Sequence, residues 1–164
     1  MVRFRFEFMD KSRKAVYLPL LFDILYANMK QIVPGGPYET EKADWLSEVE
    51  PAMEKAPRQI ILMYAGDVLA GYFQYYVNGS VFMVEEIQIV PQYQGTTLLY
   101  SLFRFLGNVL PEDVETVAAY VHKGNLRSRR IIRKLGMVMQ SDEGDYYFCR
   151  GDFRSIGGRF CKNP

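Results

Sequence analysis

Two adjacent carboxylates, Glu85 and Glu86, stand shortly before the turn Gln94-Gly95-Thr96-Thr97 and the apolar run Leu98–Leu106. A carboxylate can hold a cation or take a proton from a reacting amine. Val84–Val90 reads as a strand that Pro91 ends, and successive strand side chains face opposite ways. Only one of the two glutamates can therefore face a given pocket unless a bulge intervenes. A turn that launches a helix aims several backbone N–H groups at one point, at the positive end of the helix dipole. That geometry suits a phosphate or pyrophosphate. Further on, Asn125 and Ser128 open another helix, and an asparagine offers both a donor and an acceptor. Either residue can cap that helix or reach a ligand.

The order of these motifs resembles the GNAT superfamily, the acyl-coenzyme-A-dependent N-acetyltransferases. The resemblance rests on Ile89-Val90-Pro91, Gln94-Gly95, Asn125-x-x-Ser128 and Leu135-Gly136-Met137, concentrated in residues 81–150. It implies an α/β, single-domain, mixed and mostly antiparallel sheet with helices on both faces. It also implies acetyl-coenzyme A as the acyl donor, no metal, and a primary amine as acceptor, either a small molecule or a protein N-terminus. Direct attack in a ternary complex is the implied mechanism. The main chain of Ile87, Gln88 and Ile89 is expected to pair with the pantetheine arm. The turn Gln94, Gly95, Thr96, Thr97, Leu98, Leu99 and Tyr100 is expected to hold the pyrophosphate. Asn125 is expected near the amides of the arm, with Ser128 either beside the coenzyme or bonded within the helix. Glu85 is expected as the general base, with Glu86 acting on substrate charge or structure. Their bland alternative is an acidic pair on a solvated strand face.

The chain departs from the family pattern at three places. Thr97 and Leu99 stand where the turn usually has glycine or alanine, and a side chain there would meet the approaching pyrophosphate. Ile132, seven residues after Asn125, replaces a frequent catalytic tyrosine. The general acid is therefore open, with Tyr120, Tyr146, Tyr147 and Cys149 as candidates by position alone. His122 is read as a strand-end bystander. These departures motivate a second expectation, a catalytically degenerate domain that binds a ligand or partner on the same fold.

Composition bounds the remainder. The 164 residues are 49% apolar, enough for one globular domain spanning 1–164, with residues from about 155 expected as a loose tail. A net charge of +1 argues against nucleic acid as the main partner. The basic run Arg127, Arg129, Arg130, Arg133 and Lys134 is either a solvated helix surface or an attractor for phosphates. No apolar stretch suits a signal or a membrane span, so a cytoplasmic setting is expected. Cys149 reads as a buried strand residue and Cys161 as an exposed thiol. No motif encodes the oligomeric state, and a homodimer is kept as an expectation.

Hydrophobic periodicity supplies the positioning elements. Val2, Phe4, Phe6 and Phe8 alternate with charge in a first strand. Leu18, Leu21, Phe22, Leu25 and Met29 mark a helix capped by Asp10 or Ser12, and Thr40 begins a second helix ending near Lys55. Residues 58–64, 68–77 and 81–90 read as three antiparallel strands, with a hairpin at Asn78-Gly79. Helix 97–110, strand 116–121, a fourth helix and the hairpin strands 137–140 and 146–150 complete the order β-α-α-β-β-β-α-β-α-β-β.

Overall fold

The alternation of Phe4, Phe6 and Phe8 with Arg5 and Glu7 is expressed as β1 (Phe4–Phe8) in a computed structural model that describes residues 3–55 and 57–156. The elements that follow are α1 (Lys14–Met29), α2 (Tyr38–Lys55), β2 (Gln59–Ala65), β3 (Val68–Asn78) and β4 (Val81–Ile89). Next come α3 (Leu98–Val109), β5 (Thr116–His122), α4 (Leu126–Lys134), β6 (Val138–Glu143) and β7 (Tyr146–Asp152). This is the order the sequence predicts, with short 3-10 turns added at Lys11–Arg13 and Pro91–Tyr93. No helix among the described residues is long and apolar enough to cross a membrane.

The seven strands form one mostly antiparallel open sheet in the order β1-β2-β3-β4-β5-β7-β6. The parallel pair is β4 with β5, and parallel neighbours need a crossover, here α3. That ladder includes the pairs from Val81↔Thr116 to Val84↔Ala119.

The described residues divide into two compact units, drawn from Met1–Gln74 with Glu86–Thr96 and from Tyr75–Glu85 with Thr97–Pro164. The first has a core of Met9, Leu18, Leu21, Val49, Met53, Ile60, Leu62 and Tyr72, on which Trp45 and Leu46 pack. Each large apolar side chain fully buried there contributes about 1.5–3 kcal/mol. In the second, Phe82 packs against Tyr75 at 4.9 Å and Phe153 at 5.7 Å between ring centroids. Leu98, Leu102 and Leu106 form the buried stripe of α3 that its four-residue spacing demands.

Two expectations need correction. Helix α2 begins at Tyr38 and not at Thr40, because the Pro37 carbonyl already accepts the Glu41 N–H at 3.1 Å. The chain also does not loosen at residue 155. Asp152 accepts the Arg154 N–H at 2.9 Å and the Ser155 hydroxyl at 2.8 Å, residues 153–156 are helical, and Ile156 is buried. Those bonds hold the Asp152 carboxyl below its ordinary range. Val2, Cys161 and the rest of the expected tail lie outside the described residues.

Candidate functional site

In the first unit, β4 carries Glu86 and Gln88 toward the helices. Gln88 is buried, and its side-chain oxygen accepts a bond from Asn28 of α1 at 3.0 Å. Two residues earlier on the same side of the strand, Glu86 accepts the Tyr72 hydroxyl on one oxygen and the Trp45 indole N–H at 3.4 Å on the other. Tyr72 is fully buried on β3, and Trp45 is half-buried on α2. Burial, and then the neighbouring Glu86 charge, push the Tyr72 phenol well above its ordinary pKa. The hydroxyl therefore remains a donor to the carboxylate at neutral pH.

Asn28 and Gln94 brace the end of the same strand. Asn28 donates to the Ile89 carbonyl at 3.1 Å, and Gln94 donates to that carbonyl at 2.7 Å and to the Asn28 oxygen at 3.4 Å. A carbonyl has two lone pairs, and these two donors use both. The Ile89 carbonyl is thus engaged within the unit, and Gln94 turns its amide inward. Gln88 turns its own carbonyl toward Gly71 of β3, where an added Cβ would lie 2.2 Å from that oxygen. Main-chain directions alternate along a strand, so Ile87 sends its N–H and C=O to the opposite edge.

The turn after β4 has one residue in the left-handed region, Gly95 at φ +79°. Space around it is open, with nothing within 4 Å of an added Cβ. Thr96 closes the turn by donating its hydroxyl to the Tyr93 carbonyl at 2.7 Å.

The second unit holds the other candidates. Glu85 is half-buried and alternates to the side of β4 away from Glu86. Thr97 precedes α3 at φ −76° and makes no side-chain capping bond. The positive φ that would have required glycine at Thr97 or Leu99 is absent, so the backbone accommodates both. Their side chains differ in placement: Thr97 and Tyr100 are exposed, Leu99 is half-buried, and Leu98 is fully buried in the core.

Asn125 caps α4, its side-chain oxygen accepting the Ser128 N–H at 2.9 Å. Asn125→Ala should cost about 1 kcal/mol through that lost cap. Thermal unfolding should then fall by roughly 2–4 °C, with Asn125→Asp spared because its carboxylate caps equally well.

His122 accepts the Gly124 N–H on Nδ1 at 3.0 Å and stacks edge-on with Tyr146 at 5.2 Å. Tyr147 lies between Lys123 and Arg129, each 5.2 Å from its ring centre. Tyr120 is exposed against Phe148. Cys149 is buried, and burial raises its thiol pKa, only partly opposed by Arg129, so it does not resemble an activated nucleophile. Arg127, Arg130, Arg133 and Lys134 are exposed, while Arg129 donates to the Lys123 carbonyl at 3.2 Å.

Trp45, Tyr72 and Asn28 were not among the sequence candidates. Asn28, a lone amide amid the apolar residues of α1, was the one visible signal.

No protein-family model matches the sequence, and no curated protein matches it. Solved structures do. An acetyltransferase from Thermus thermophilus superposes with a TM-score of 0.72 at 15% identity, over 93% of this chain and 99% of that one. The chain has the GNAT fold. Another solved structure with this fold, the PaiA N-acetyltransferase of Thermoplasma acidophilum in complex with coenzyme A, gives 0.69 at 12% identity over 92% and 99% of the two chains. The spermidine/spermine N-acetyltransferase SpeG of Vibrio cholerae gives 0.62 at 12% identity over 95% and 97%.

Proposed function

We propose that this chain is an acyl-coenzyme-A-dependent N-acetyltransferase that acetylates a primary amine by direct attack in a ternary complex. One observation carries the reading: β4 holds a carboxylate, Glu86, between the Tyr72 hydroxyl and the Trp45 indole N–H, next to the main chain of Ile87. The GNAT fold, and a similarly folded N-acetyltransferase solved with coenzyme A, support it.

The residues fit such a donor. Ile87 can add the pantetheine arm as a short strand partner. Gly95, with open space around it, lets a pyrophosphate approach the backbone of the turn through Thr96, Thr97, Leu98, Leu99 and Tyr100. Thr97 places no side-chain cap over the first turn of α3, so a phosphate can take that place. Asn28, Gln88 and Gln94 position the strand end instead of touching the donor. Asn125 and Ser128 fix the start of α4.

When bound, acetyl-coenzyme A supplies an activated thioester. Glu86 binds the ammonium of the acceptor and removes its proton, directly or through one water, so that the neutral amine can attack. The nitrogen sheds a second proton as the amide forms, and the departing thiolate ends as a thiol, leaving one net proton released. Ile132 cannot donate a proton, and a thiolate can leave without a dedicated acid. Holding both reactants in line supplies much of the remaining acceleration.

The expected order of the two carboxylates is reversed in this reading. Glu86, not Glu85, lies on the side of β4 shaped by α2 and Tyr72, and a base must share a side with the amine it serves.

Acetyl-coenzyme A at about a hundred times its Kd should stabilise the fold by roughly 2.7 kcal/mol, raising the melting temperature by several degrees. No shift and no binding heat at saturating concentrations would sink the proposal. A clear shift with no transfer to any amine would favour the non-catalytic binding domain.

A further inference from the structure

The second unit has an open cleft of about 550 Å³ where the start of β5 meets the end of β7 and the edge strand β6. Its volume is that of a small-molecule site, but its lining is polar where such sites are mostly apolar. Acyl transfer as proposed uses none of it. β5 runs from Thr116 at the cleft to His122, whose carbonyl accepts the Asn125 N–H at 2.9 Å, and its seven residues span about 20 Å. The cleft therefore lies a strand's length from the start of α4.

Strand register brings its lining together. Thr116 pairs with Asp152 and Ala118 with Arg150, so Thr116, Arg150 and Asp152 share one side of the sheet. On β6 the register shifts between Met139↔Cys149 and Ser141↔Phe148, which makes Gln140 the extra residue of a bulge. Bulges at sheet edges re-aim side chains, and Gln140 lines the cleft. Arg154 joins from the helical turn after β7, and Glu115 from the residue before β5.

We propose that this cleft is a second ligand site, one that takes a small phosphate monoester bearing hydroxyl groups, with the phosphate held by Arg150, Arg154 and Thr116.

The donors and acceptors of the lining carry the inference. Asp152 has both oxygens engaged, by the Arg154 N–H and the Ser155 hydroxyl, and so serves the turn that follows it. Arg150 and Arg154 are exposed, and neither forms an ion pair with a described carboxylate. Each guanidinium offers five N–H donors in a rigid fork, and the Thr116 hydroxyl adds another. A phosphate presents three terminal oxygens to such a set and a carboxylate only two, so the tetrahedral anion uses more of it. Glu115 and the Gln140 oxygen are acceptors instead, and they suit hydroxyl groups on the body of the ligand.

Glycerol 3-phosphate, with ionic strength held constant by chloride, should raise the melting temperature saturably with a Kd of about 1 mM or tighter. Glycerol, which lacks the phosphate, and acetate, which offers two oxygens, should each bind at least about tenfold more weakly, and inorganic phosphate at least about threefold more weakly. Arg150→Gln and Arg154→Gln should each lower the affinity for glycerol 3-phosphate at least about tenfold. Both side chains are exposed and stand on separate elements, so one variant remains decisive if the other folds poorly. Arg130→Gln, on the exposed side of α4, should leave the affinity within about twofold, as should saturating acetyl-coenzyme A. Absence of a saturable shift would overturn the inference. So would an equal loss in Arg130→Gln, which would reveal a diffuse effect of surface charge. Displacement by acetyl-coenzyme A would place the phosphate at the coenzyme's turn and overturn it too. Acetate or inorganic phosphate binding as tightly as glycerol 3-phosphate would overturn the ligand class.

Discussion

Glu86→Gln is expected to lower turnover with an amine acceptor by at least about a hundredfold, the lower end of what a positioned base contributes. The substitution removes charge with little damage to packing. Trp45 can still donate to the glutamine oxygen, and the glutamine NH2 can donate to the Tyr72 hydroxyl, which accepts as readily as it donates. Melting should therefore change by no more than about 2–4 °C, the effect of roughly 1 kcal/mol in a chain of this size. Affinity for acetyl-coenzyme A should stay within about twofold, because the arm is assigned to main-chain groups.

The pH profile separates a base from a purely structural carboxylate. An alkylammonium has a pKa near that of lysine, about 10.4, so the neutral fraction falls about tenfold for each unit of pH below it. Without a base the variant must draw on that fraction, and its rate should climb steeply with pH while the wild type stays flatter. The gap should narrow toward alkaline pH. Glu85→Gln should remain within about threefold of wild type throughout, since its side chain alternates to the other side of β4. Loss of turnover in Glu85→Gln with Glu86→Gln unaffected would restore the order expected from sequence.

The side of β4 that each glutamate takes was the part of the site least legible in the sequence, for a physical reason. Alternation says that two neighbouring glutamates face opposite ways, but it does not say which way either faces. The answer lies in partners distant along the chain: Trp45 is 41 residues from Glu86, and Tyr72 is 14. The elements themselves were legible because local pattern determines them. The two-residue period of β1, the four-residue stripe of α3 and the Asn78-Gly79 hairpin need no tertiary information. The backbone of the turn was not legible either: Gly95 supplies its positive φ, and Thr97 stands at φ −76°. Gln94 is a related case, since the sequence shows an amide but not whether it turns outward or back to Ile89. Ile156 was read with the polar residues around it, and only the packed structure shows it to be buried.

Gly71→Ala is expected to be the most damaging small substitution in β3. The residue is buried, and its added methyl would stand 2.2 Å from the Gln88 carbonyl oxygen, 2.9 Å from the Met63 terminal methyl and 3.0 Å from the Ile89 Cα. The methionine end can swing away, but the two backbone atoms cannot move without shifting β4 itself. Overpacking of this kind costs about 1–3 kcal/mol, and backbone against backbone belongs at the upper end. A fall in melting temperature of roughly 5–10 °C should follow. The site should suffer as well, because the displaced residues adjoin Ile87 and carry the carbonyl that Asn28 and Gln94 brace. Acetyl-coenzyme A affinity should drop at least about tenfold, a loss of roughly 1.4 kcal/mol. Gly66→Ala provides the contrast. Gly66 has a positive φ of +60° with nothing within 4 Å, so alanine there meets only local backbone strain of about 1–2 kcal/mol. Its turn joins β2 to β3, and coenzyme affinity should be unchanged. If Gly71→Ala melts like the wild type, β3 and β4 can separate freely at this point. If it is destabilised yet binds the coenzyme normally, the arm does not depend on the line of β4 at Gln88 and Ile89, and Ile87 is not its partner.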